Sequence, residues 1–281
     1  MKLNKKLFLN ITTKEIAYLY GFIWADGHIV IRENKYDYRV MIKIAKGDGK
    51  EIKDILLKTG DWCISYPNNG GTIQFQASKN DKEIVNFLKD NDYLIKSGAS
   101  PDKILSKIPE HLKHYWWRGY FDGDGYVCKS WWNIDIASAI EQNWLFAKKM
   151  CKELDITFRS KKNISKCGNS SHFYLVSRYD CIKFLTYIYK DFSKDKMGLK
   201  RKYNTFISNL DKINNSYKNG KGICIRGKKF SFVFRRKTIK TCNSLEDAIK
   251  VRKNFFMKEN LKQFISYYPL EAQTLGMLPK V

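Results

Sequence analysis

The sequence has no hydrophobic segment long enough to cross a membrane. Its longest apolar stretch, Ala17 to Ala25, has nine residues and includes a glycine, whereas a transmembrane helix needs about 20. The first residues are basic, but they lack the apolar core and the small-residue cleavage site of a secretory signal. We therefore expect neither a membrane span nor secretion.

Metal-binding cysteine patterns are absent too. The seven cysteines are odd in number and never spaced as Cys-x-x-Cys, and the four histidines form no ligand pattern with them. This argues against a disulfide framework and against a structural zinc site. We expect reduced thiols in an intracellular protein.

Acidic residues are scarce. The 281 residues include 28 Asp and Glu against 52 Lys and Arg, so the formal net charge is +24. A field of this sign attracts nucleic acid or an anionic membrane surface, and no long basic amphipathic helix supports the membrane alternative. With 43% hydrophobic residues, the chain can form ordinary cores. We therefore expect a folded protein that binds nucleic acid.

An internal repeat organises the chain. The segment Leu19–Gly27 (LYGFIWADG) recurs as Trp117–Gly125 (WRGYFDGDG), 98 residues later. After each copy the hydrophobic pattern predicts strands, a helix, further strands and a second helix. A third unit of three short strands and a helix follows. The expected domains are 1–100 and 101–212 for the two repeats, 213–262 for a small DNA-binding domain, and 263–281 for a tail without assigned structure.

Both copies of the motif are predicted to be helices with small residues on one face. Thr12 and Glu15 form a capping-box pattern that begins the first helix near Thr13, and Gly27 is expected to end it as a left-handed cap. Small residues spaced by four along a helix allow another helix backbone to approach closely, and the simplest interpretation is a tight helix–helix contact. The small residues are Ala17, Gly21 and Ala25 in the first motif and Gly119 and Gly123 in the second.

Two acids change that interpretation. Asp26 and Asp124 occupy the same repeat position, in the last turn of each predicted helix. A carboxylate there faces the negative end of the helix dipole, which costs a few tenths to about 1 kcal/mol. If the helices pack through their small faces, the two carboxylates also repel each other. Such a pair does not stabilise the fold, but its oxygen atoms are suitable ligands for a divalent cation such as Mg²⁺.

These motifs resemble those of single-chain, two-motif LAGLIDADG homing endonucleases. Ile108-Pro-Glu-His-Leu112 leading into the second copy is typical of the family, and the resemblance covers about residues 13–210. It implies an α+β fold of two pseudo-symmetric αββαββα repeats, to which this chain adds a small three-stranded sheet and helix. It further implies that Asp26 and Asp124 bind the metal, with the carbonyls of Ala25 and Gly123 as additional ligands.

Other residues follow from the same resemblance. Trp24 replaces the first acid of the first motif, whereas the second motif keeps Asp122, which puts a role for Asp122 in doubt. The family places a basic residue before the last helix of each half, near the scissile phosphates. Lys79 and Arg178 occupy those places and are predicted to be catalytic. The alternative is that both are ordinary surface residues.

DNA contacts are expected on the strand faces opposite the apolar residues. Arginine and glutamine can pair with base edges, whereas lysine and threonine more often hold position. A solvated surface is the alternative for each residue singly. The predicted contacts in the two repeats are Arg32, Arg39, Lys43, Gln74, Gln76, Lys129, Lys161 and Lys162.

The third unit resembles the ethylene-response-factor type of DNA-binding domain. That resemblance implies three strands and one helix, with basic strand residues in the major groove. Arg226, Arg235 and Arg236 would then contact DNA. The alternative is a β-hairpin extension that packs on the rest of the chain.

The predicted function is sequence-specific double-strand DNA cleavage by hydrolysis of phosphodiesters, carried out by a monomer on a long target site. Mg²⁺ is the expected cofactor, with Mn²⁺ able to replace it and Ca²⁺ supporting binding without cleavage. The alternatives on the same fold are an RNA-binding intron maturase and a DNA-binding regulator that has lost cleavage. The chain would belong to an intron-encoded or free-standing mobile element. We expect it in the cytoplasm of a prokaryote or a phage-infected cell, with an organelle as the alternative.

Overall fold

The computed structural model describes residues 5–129, 132–165, 168–218 and 220–281. In these ranges no helix is both long and apolar enough to cross a membrane. The first part of the chain contains α1 (Lys5–Asn10), α2 (Lys14–Asp26), β1 (Gly27–Arg32), a 3-10 turn (Glu33–Lys35), β2 (Asp37–Ala45), α3 (Lys46–Thr59), β3 (Cys63–Ser65), β4 (Asn68–Asn69), β5 (Thr72–Asn80) and α4 (Lys82–Asp90).

The second part repeats this order, and a third part follows it. The second part contains α5 (Asp102–Lys107), a 3-10 turn (Glu110–Leu112), α6 (Lys113–Asp124), β6 (Gly125–Val127), β7 (Ile134–Ala139), α7 (Leu145–Glu153), β8 (Arg159–Ser165), β9 (Gly168–Leu175) and α8 (Arg178–Ile188). The third contains α9 (Phe192–Asp195), α10 (Lys200–Lys218), β10 (Ile223–Arg226), β11 (Lys229–Phe234), β12 (Lys237–Cys242), α11 (Leu245–Glu259), α12 (Leu261–Tyr267) and α13 (Pro269–Thr274).

The sheets confirm the predicted fold class. The first sheet has the order β1-β2-β5-β3, with β4 also on β5, and the second has the order β6-β7-β9-β8. Equivalent strands of the two repeats thus occupy equivalent positions in their sheets. The strand pairs of both sheets are antiparallel. A separate three-stranded sheet, β10-β11-β12, lies near the carboxyl end. The chain is thus an α+β protein with two αββαββα repeats and a further small sheet.

Helices α2 and α6 pack against each other through their glycines. A Cβ atom added at Gly21 would collide with the carbonyl oxygen of Trp116, and one at Gly119 would collide with that of Tyr18. These two contacts are related by the 98-residue repeat. The close helix contact predicted from the small residues is therefore confirmed, and it brings the carboxyl ends of both helices together.

Gly119→Ala is expected to lower the free energy of unfolding by about 1–3 kcal/mol, because the new methyl group can fit only if the backbone of α2 moves. Gly47→Ala is a matched control, since a Cβ at Gly47 in α3 would meet nothing within 4 Å. Urea unfolding of both variants measures the difference. Equal stability of the two variants would contradict the close backbone contact.

Two details of the first motif helix differ from the prediction. Its N-cap is Thr13, whose Oγ1 accepts a hydrogen bond from Ile16 N at 3.4 Å, so Thr12 is not the cap. Gly27 has φ −75° and ψ 148° and is extended, so the predicted left-handed cap is wrong. The physical reason is that Gly27 begins β1 directly: its N–H donates to Ile23 O, and a lysine side chain binds the helix-end carbonyls in addition.

The second repeat contains an element that the hydrophobic pattern did not predict. Strand β8 is an edge strand with mostly exposed side chains, so it carries no apolar alternation. Helix α7 begins at Leu145, after Trp144 in a left-handed conformation at φ 60°. Edge strands are specified by their neighbour in the sheet more than by their own hydrophobic pattern.

The third part does not stand apart from the second repeat. Phe232 and Phe234 of β11 pack against Phe255 and Phe256 of α11, which forms a small core of its own. Helices α12 and α13 then contact α8 and α10. The segment 263–281, which had no predicted structure, therefore contains part of α12 and all of α13. The resemblance to an ethylene-response-factor domain and the domain boundaries stay predictions.

Candidate functional site

The motif carboxylates lie side by side at the ends of α2 and α6. Both are half-buried, and an ideal Cβ built on Gly123 would be 3.1 Å from Oδ2 of Asp26. Burial, followed by the negative charge of Asp26, raises the pKa of Asp124 to about 7. Burial also raises the pKa of Asp26. The packed helices thus produce the predicted pair of destabilised carboxylates.

Each helix end is capped by a lysine side chain from a distant segment. Lys96 Nζ donates to the carbonyl oxygens of Ile23 at 3.1 Å, Ala25 at 2.7 Å and Gly27 at 2.8 Å. These carbonyls lie at and just beyond the carboxyl end of α2, where a helix leaves acceptors without intrahelical partners, although Ile23 O also accepts from Gly27 N. An ammonium group satisfies them and also faces the negative end of the helix dipole.

Lys202 performs the same task in the second repeat. Its Nζ donates to the carbonyl oxygens of Phe121 and Asp122, both at 2.7 Å, and to that of Gly125 at 2.5 Å. Lys202 is buried at the start of α10, whereas Lys96 lies in the segment after α4. The two repeats therefore place equivalent ammonium groups behind their motif helices.

The two lysines do not offset the effect of burial on the two carboxylates. Burial lowers the pKa of Lys96 and that of Lys202 to about 8, although the nearby aspartates oppose this shift. Both ammonium groups lower the pKa of Asp124, which nevertheless stays at about 7. A further positive charge next to the carboxylates would favour their ionised forms.

The donor set fits a hard divalent cation. Mg²⁺ is usually held by one or two carboxylates, with waters and substrate phosphates as the remaining ligands. Among the described residues, no group of three or more His, Cys, Asp or Glu side chains could form a metal cage, so the facing pair of Asp26 and Asp124 is the relevant donor set. The carbonyl of Ala25 already accepts a hydrogen bond from Lys96, and coordination by it or by Gly123 stays a prediction.

Asp122, the extra acid of the second motif, has a structural environment. It is fully buried and accepts hydrogen bonds from Tyr18 Oη at 2.8 Å, Leu199 N at 2.9 Å and Tyr189 Oη at 3.2 Å. In the first repeat Trp24 replaces it and packs edge-on against Tyr93 with ring centres 4.9 Å apart. The first repeat thus has a buried aromatic contact where the second has buried hydrogen bonds to a carboxylate.

Lys79 and Arg178, the basic residues predicted to be catalytic in the two halves, have other partners. Lys79 pairs with Val40 in the β2–β5 ladder, on the buried side of the sheet, and its Nζ donates to Asp61 O at 3.0 Å. The Arg178 guanidinium lies 5.5 Å from the ring centre of Tyr267. The contacts described for these two side chains do not connect them to the motif carboxylates, and their catalytic role stays a prediction.

The strand register brings the predicted DNA-contact residues of the first sheet together. Lys43 pairs with Gln76, and Arg39 pairs with Asn80, on the face opposite the buried residues. Gln74 and Arg32 lie on that same face by the alternation of the strands. Arg39 forms a bidentate ion pair with Asp37, and Arg32 approaches the same carboxylate at 3.8 Å. The face therefore carries all five contacts predicted for the first sheet, alongside the apolar side chains of Val30 and Met41.

The DNA-contact residues predicted for the second repeat do not all lie on one face of its sheet. Lys161 pairs with His172 on the open face, but Lys162 pairs with the buried Ser171 and so points to the opposite face. Lys129 is exposed in the β6–β7 connection. His172 itself contacts Asp135 at 2.9 Å and stacks on Tyr174, a polar cluster that the sequence did not indicate.

The carboxyl-terminal sheet presents arginines at a tight turn. Arg235 and Arg236 connect β11 to β12, and both have positive φ, at 48° and 68°. Such turns usually contain Asn or Gly, because other residues are strained there. Both arginines are exposed. Arg226 is the last residue of β10.

Lys96 and Lys202 are the residues that sequence reasoning missed. The two lysines are 106 residues apart, whereas the two motifs are 98 residues apart. Aligning the repeats at the motif spacing therefore does not match one lysine with the other. The signal that could have found them is general: the last carbonyls of a helix need hydrogen-bond donors, and a lysine side chain can supply them.

Comparison with known proteins gives the following similarities. Residues 112–189 match the family profile of the LAGLIDADG-like domain, which corresponds to most of the second repeat. An uncharacterized protein of Methanocaldococcus jannaschii is 26% identical over 157 residues, covering 54% of each chain. A probable phosphoenolpyruvate synthase of the same organism is 30% identical over 119 residues, covering 40% of this chain and 9% of that protein. The chain thus spans about half or less of the length of these relatives.

Two solved structures are similar over a larger share of the chain. Meganuclease I-SmaMI bound to uncleaveable DNA is 14% identical, with a TM-score of 0.45, and the match covers 71% of this chain and 92% of that one. I-DmoI in complex with DNA and Ca is 15% identical, with a TM-score of 0.43, and the match covers 64% and 91%.

Proposed function

We propose that this protein is a divalent-metal-dependent DNA endonuclease whose single chain supplies both carboxylates of the cleavage centre. The observation that carries the proposal is the pair Asp26 and Asp124, which lie together at the ends of two packed helices and retain a raised pKa despite two nearby lysines. The match of the second repeat to the LAGLIDADG-like domain supports the same assignment.

In this proposal the chain's own residues hold and orient the reacting groups. Asp26 and Asp124 would bind the cation, which supplies the charge that polarises a phosphodiester and activates water. Lys96 and Lys202 fix the carbonyls beneath each aspartate, so the carboxylates keep their position when the negatively charged DNA arrives. Their ammonium groups also add positive charge close to where charge develops during hydrolysis.

Both open sheet faces would contact the duplex. Arg39, Lys43, Gln74 and Gln76 form one patch, with Arg32 at its edge, and Lys161 lies on the corresponding face of the second sheet. The arginines of the β11–β12 turn would add a contact outside the repeats. Because the two repeats are joined in one chain, one copy of the protein would be enough for one duplex.

Cleavage of a randomised plasmid library by the purified chain tests the proposed activity. With Mg²⁺ we expect linear products that share a sequence at the cut, and with EDTA in place of Mg²⁺ we expect none. Linear products in EDTA would contradict metal dependence. Enrichment of bound sequences without any cut in Mg²⁺ or Mn²⁺ would instead identify a DNA-binding protein.

DNA binding is expected to weaken steeply with salt, since a protein that neutralises several phosphates releases their counterions. The net charge of +24 and the basic sheet faces motivate this expectation. For about 6–10 phosphate contacts, affinity should fall by about 10³–10⁵ between 50 and 200 mM salt. Fluorescence anisotropy with a labelled duplex measures it, and a slope near zero would contradict phosphate-dominated binding.

A further inference from the structure

A large cavity that neither motif carboxylate lines lies between the second repeat and the carboxyl-terminal helices. Its volume is about 1040 Å³, and it is lined by the start of α8 and by parts of α10 and α12. Four basic side chains line it, Arg178, Lys212, Lys221 and Lys262, against one acid, Asp180. The lining is therefore strongly cationic.

Arg178 is the least satisfied of these groups. Its Nε and Nη1 atoms are buried and have no hydrogen-bond partner among the described residues. Its described contact is with the ring of Tyr267, whose centre lies 5.5 Å from the guanidinium. A guanidinium that loses water without gaining acceptors is destabilising, and a cation–π contact offsets only part of that cost.

The acid in the cavity does not neutralise Arg178. Asp180 accepts hydrogen bonds from Thr157 N at 3.2 Å, Thr157 Oγ1 at 2.9 Å and Ser177 Oγ at 2.6 Å. Its carboxylate is thus engaged by Ser177, the N-cap of α8, and by Thr157 in the chain before β8. Lys262 pairs with Asp155 at 3.4 Å and Lys212 donates to Lys129 O at 3.4 Å, but among the described residues the buried Nε and Nη1 of Arg178 have no acceptor.

We propose that this cavity binds a phosphate-type oxyanion, with Arg178 as its main donor. A guanidinium matches the oxygen geometry of phosphate, and several cations around one cavity favour a group with more than one negative charge. The volume leaves room for a pyrophosphate or for a phosphate that remains attached to a larger molecule. The anion is either free in solution or part of the backbone of bound DNA, and the two sources are separable by experiment.

Calorimetric titration of the full chain with inorganic phosphate and with pyrophosphate tests the free anion. We expect Arg178→Met to weaken pyrophosphate binding at least tenfold. Lys82→Met is the matched control, because Lys82 is the first residue of α4 as Arg178 is of α8, and its side chain is exposed. The pyrophosphate affinity of Lys82→Met should stay within twofold of the wild type. Equal binding by wild type and Arg178→Met would overturn the proposal for the free anion.

The salt dependence of DNA binding tests the backbone phosphate. If DNA supplies the anion, Arg178→Met lowers the slope of log affinity against log salt by about one, Lys82→Met leaves it unchanged, and pyrophosphate competes with DNA. An unchanged slope together with no binding of either free anion would overturn the proposal entirely.

Melting separates this role from a structural one. Without an anion, Arg178→Met should melt at or above the wild-type temperature, because buried guanidinium N–H groups without acceptors among the described residues have been removed. Pyrophosphate should raise the melting temperature of the wild type and not that of the variant. If Arg178→Met fails to fold, Arg178→Lys keeps the charge but not the planar donors. Wild-type pyrophosphate affinity in that variant would also overturn the assignment.

Discussion

Asp26→Asn and Asp124→Asn are each expected to reduce DNA cleavage by about 10³-fold or more, while DNA binding stays intact or becomes slightly tighter. An amide offers the cation only a neutral oxygen, so the charge stabilisation of several kcal/mol that a bound metal gives the transition state is lost. Removing a negative charge next to phosphate favours the DNA complex. Cleavage in Mg²⁺ and gel shifts in Ca²⁺ on the same preparations measure both effects.

The stability of Asp124→Asn should depend on pH in a defined direction. The pKa of Asp124 in the folded protein is about 7, above its ordinary value near 4. Between these values the folded state binds more protons than the unfolded state, so wild-type stability decreases as pH rises through this window. The amide does not titrate. Its advantage in melting temperature over the wild type should therefore be larger at pH 8 than at pH 5.

Asp122→Asn is the matched control for both measurements, since it changes an acid of the same motif. Asp122 accepts three hydrogen bonds in the core, and an amide cannot accept them all. This variant should melt at a lower temperature than the wild type. If Asp26→Asn and Asp124→Asn also melt at a lower temperature, and lose binding and cleavage together with stability, the paired acids are structural.

Lys202→Met is expected to reduce cleavage by about 10²-fold at neutral pH and to move the pH dependence of cleavage upward. Lys202 lowers the pKa of both motif carboxylates, so its removal keeps them protonated to a higher pH. A side chain that merely supported the fold would lower activity at all pH values alike. Cleavage rates between pH 6 and pH 9 distinguish these outcomes.

Lys200→Met provides the control for the lysine. It removes the same charge two residues earlier, from an exposed position at the start of α10. We expect an unchanged pH profile for this variant. A profile for Lys202→Met that coincides with that of Lys200→Met would show that the Lys202 ammonium does not act on the carboxylates.

The motif helices and their acids were predictable because the information is local. The 98-residue repeat marks Gly21 and Gly119 as equivalent, and small residues at a packed interface place Asp26 beside Asp124. The three carboxyl-terminal strands and the helix after them were recognisable for the same reason, and in the structure Ser244 Oγ caps that helix by accepting from Asp247 N at 3.0 Å.

The residues that were missed depend on tertiary contacts. Lys96 lies in an irregular segment, and Lys202 lies on a helix whose first turn gives no sign of its target. Strand β8 is polar and exposed, so only its pairing with β9 makes it a strand. The position of Arg178 in a cavity depends on α12, which comes from the segment of the chain with the weakest pattern.

Binding of Mn²⁺ measures the central claim most directly. Electron paramagnetic resonance of free Mn²⁺ can be followed during titration with the full chain on a duplex recovered from the cleaved library. We expect the wild type and Asp122→Asn to bind Mn²⁺, and the double variant Asp26→Asn/Asp124→Asn to lose that binding by at least tenfold in affinity. Undiminished binding by the double variant would show that the cation is held elsewhere and that the paired carboxylates are not the metal site.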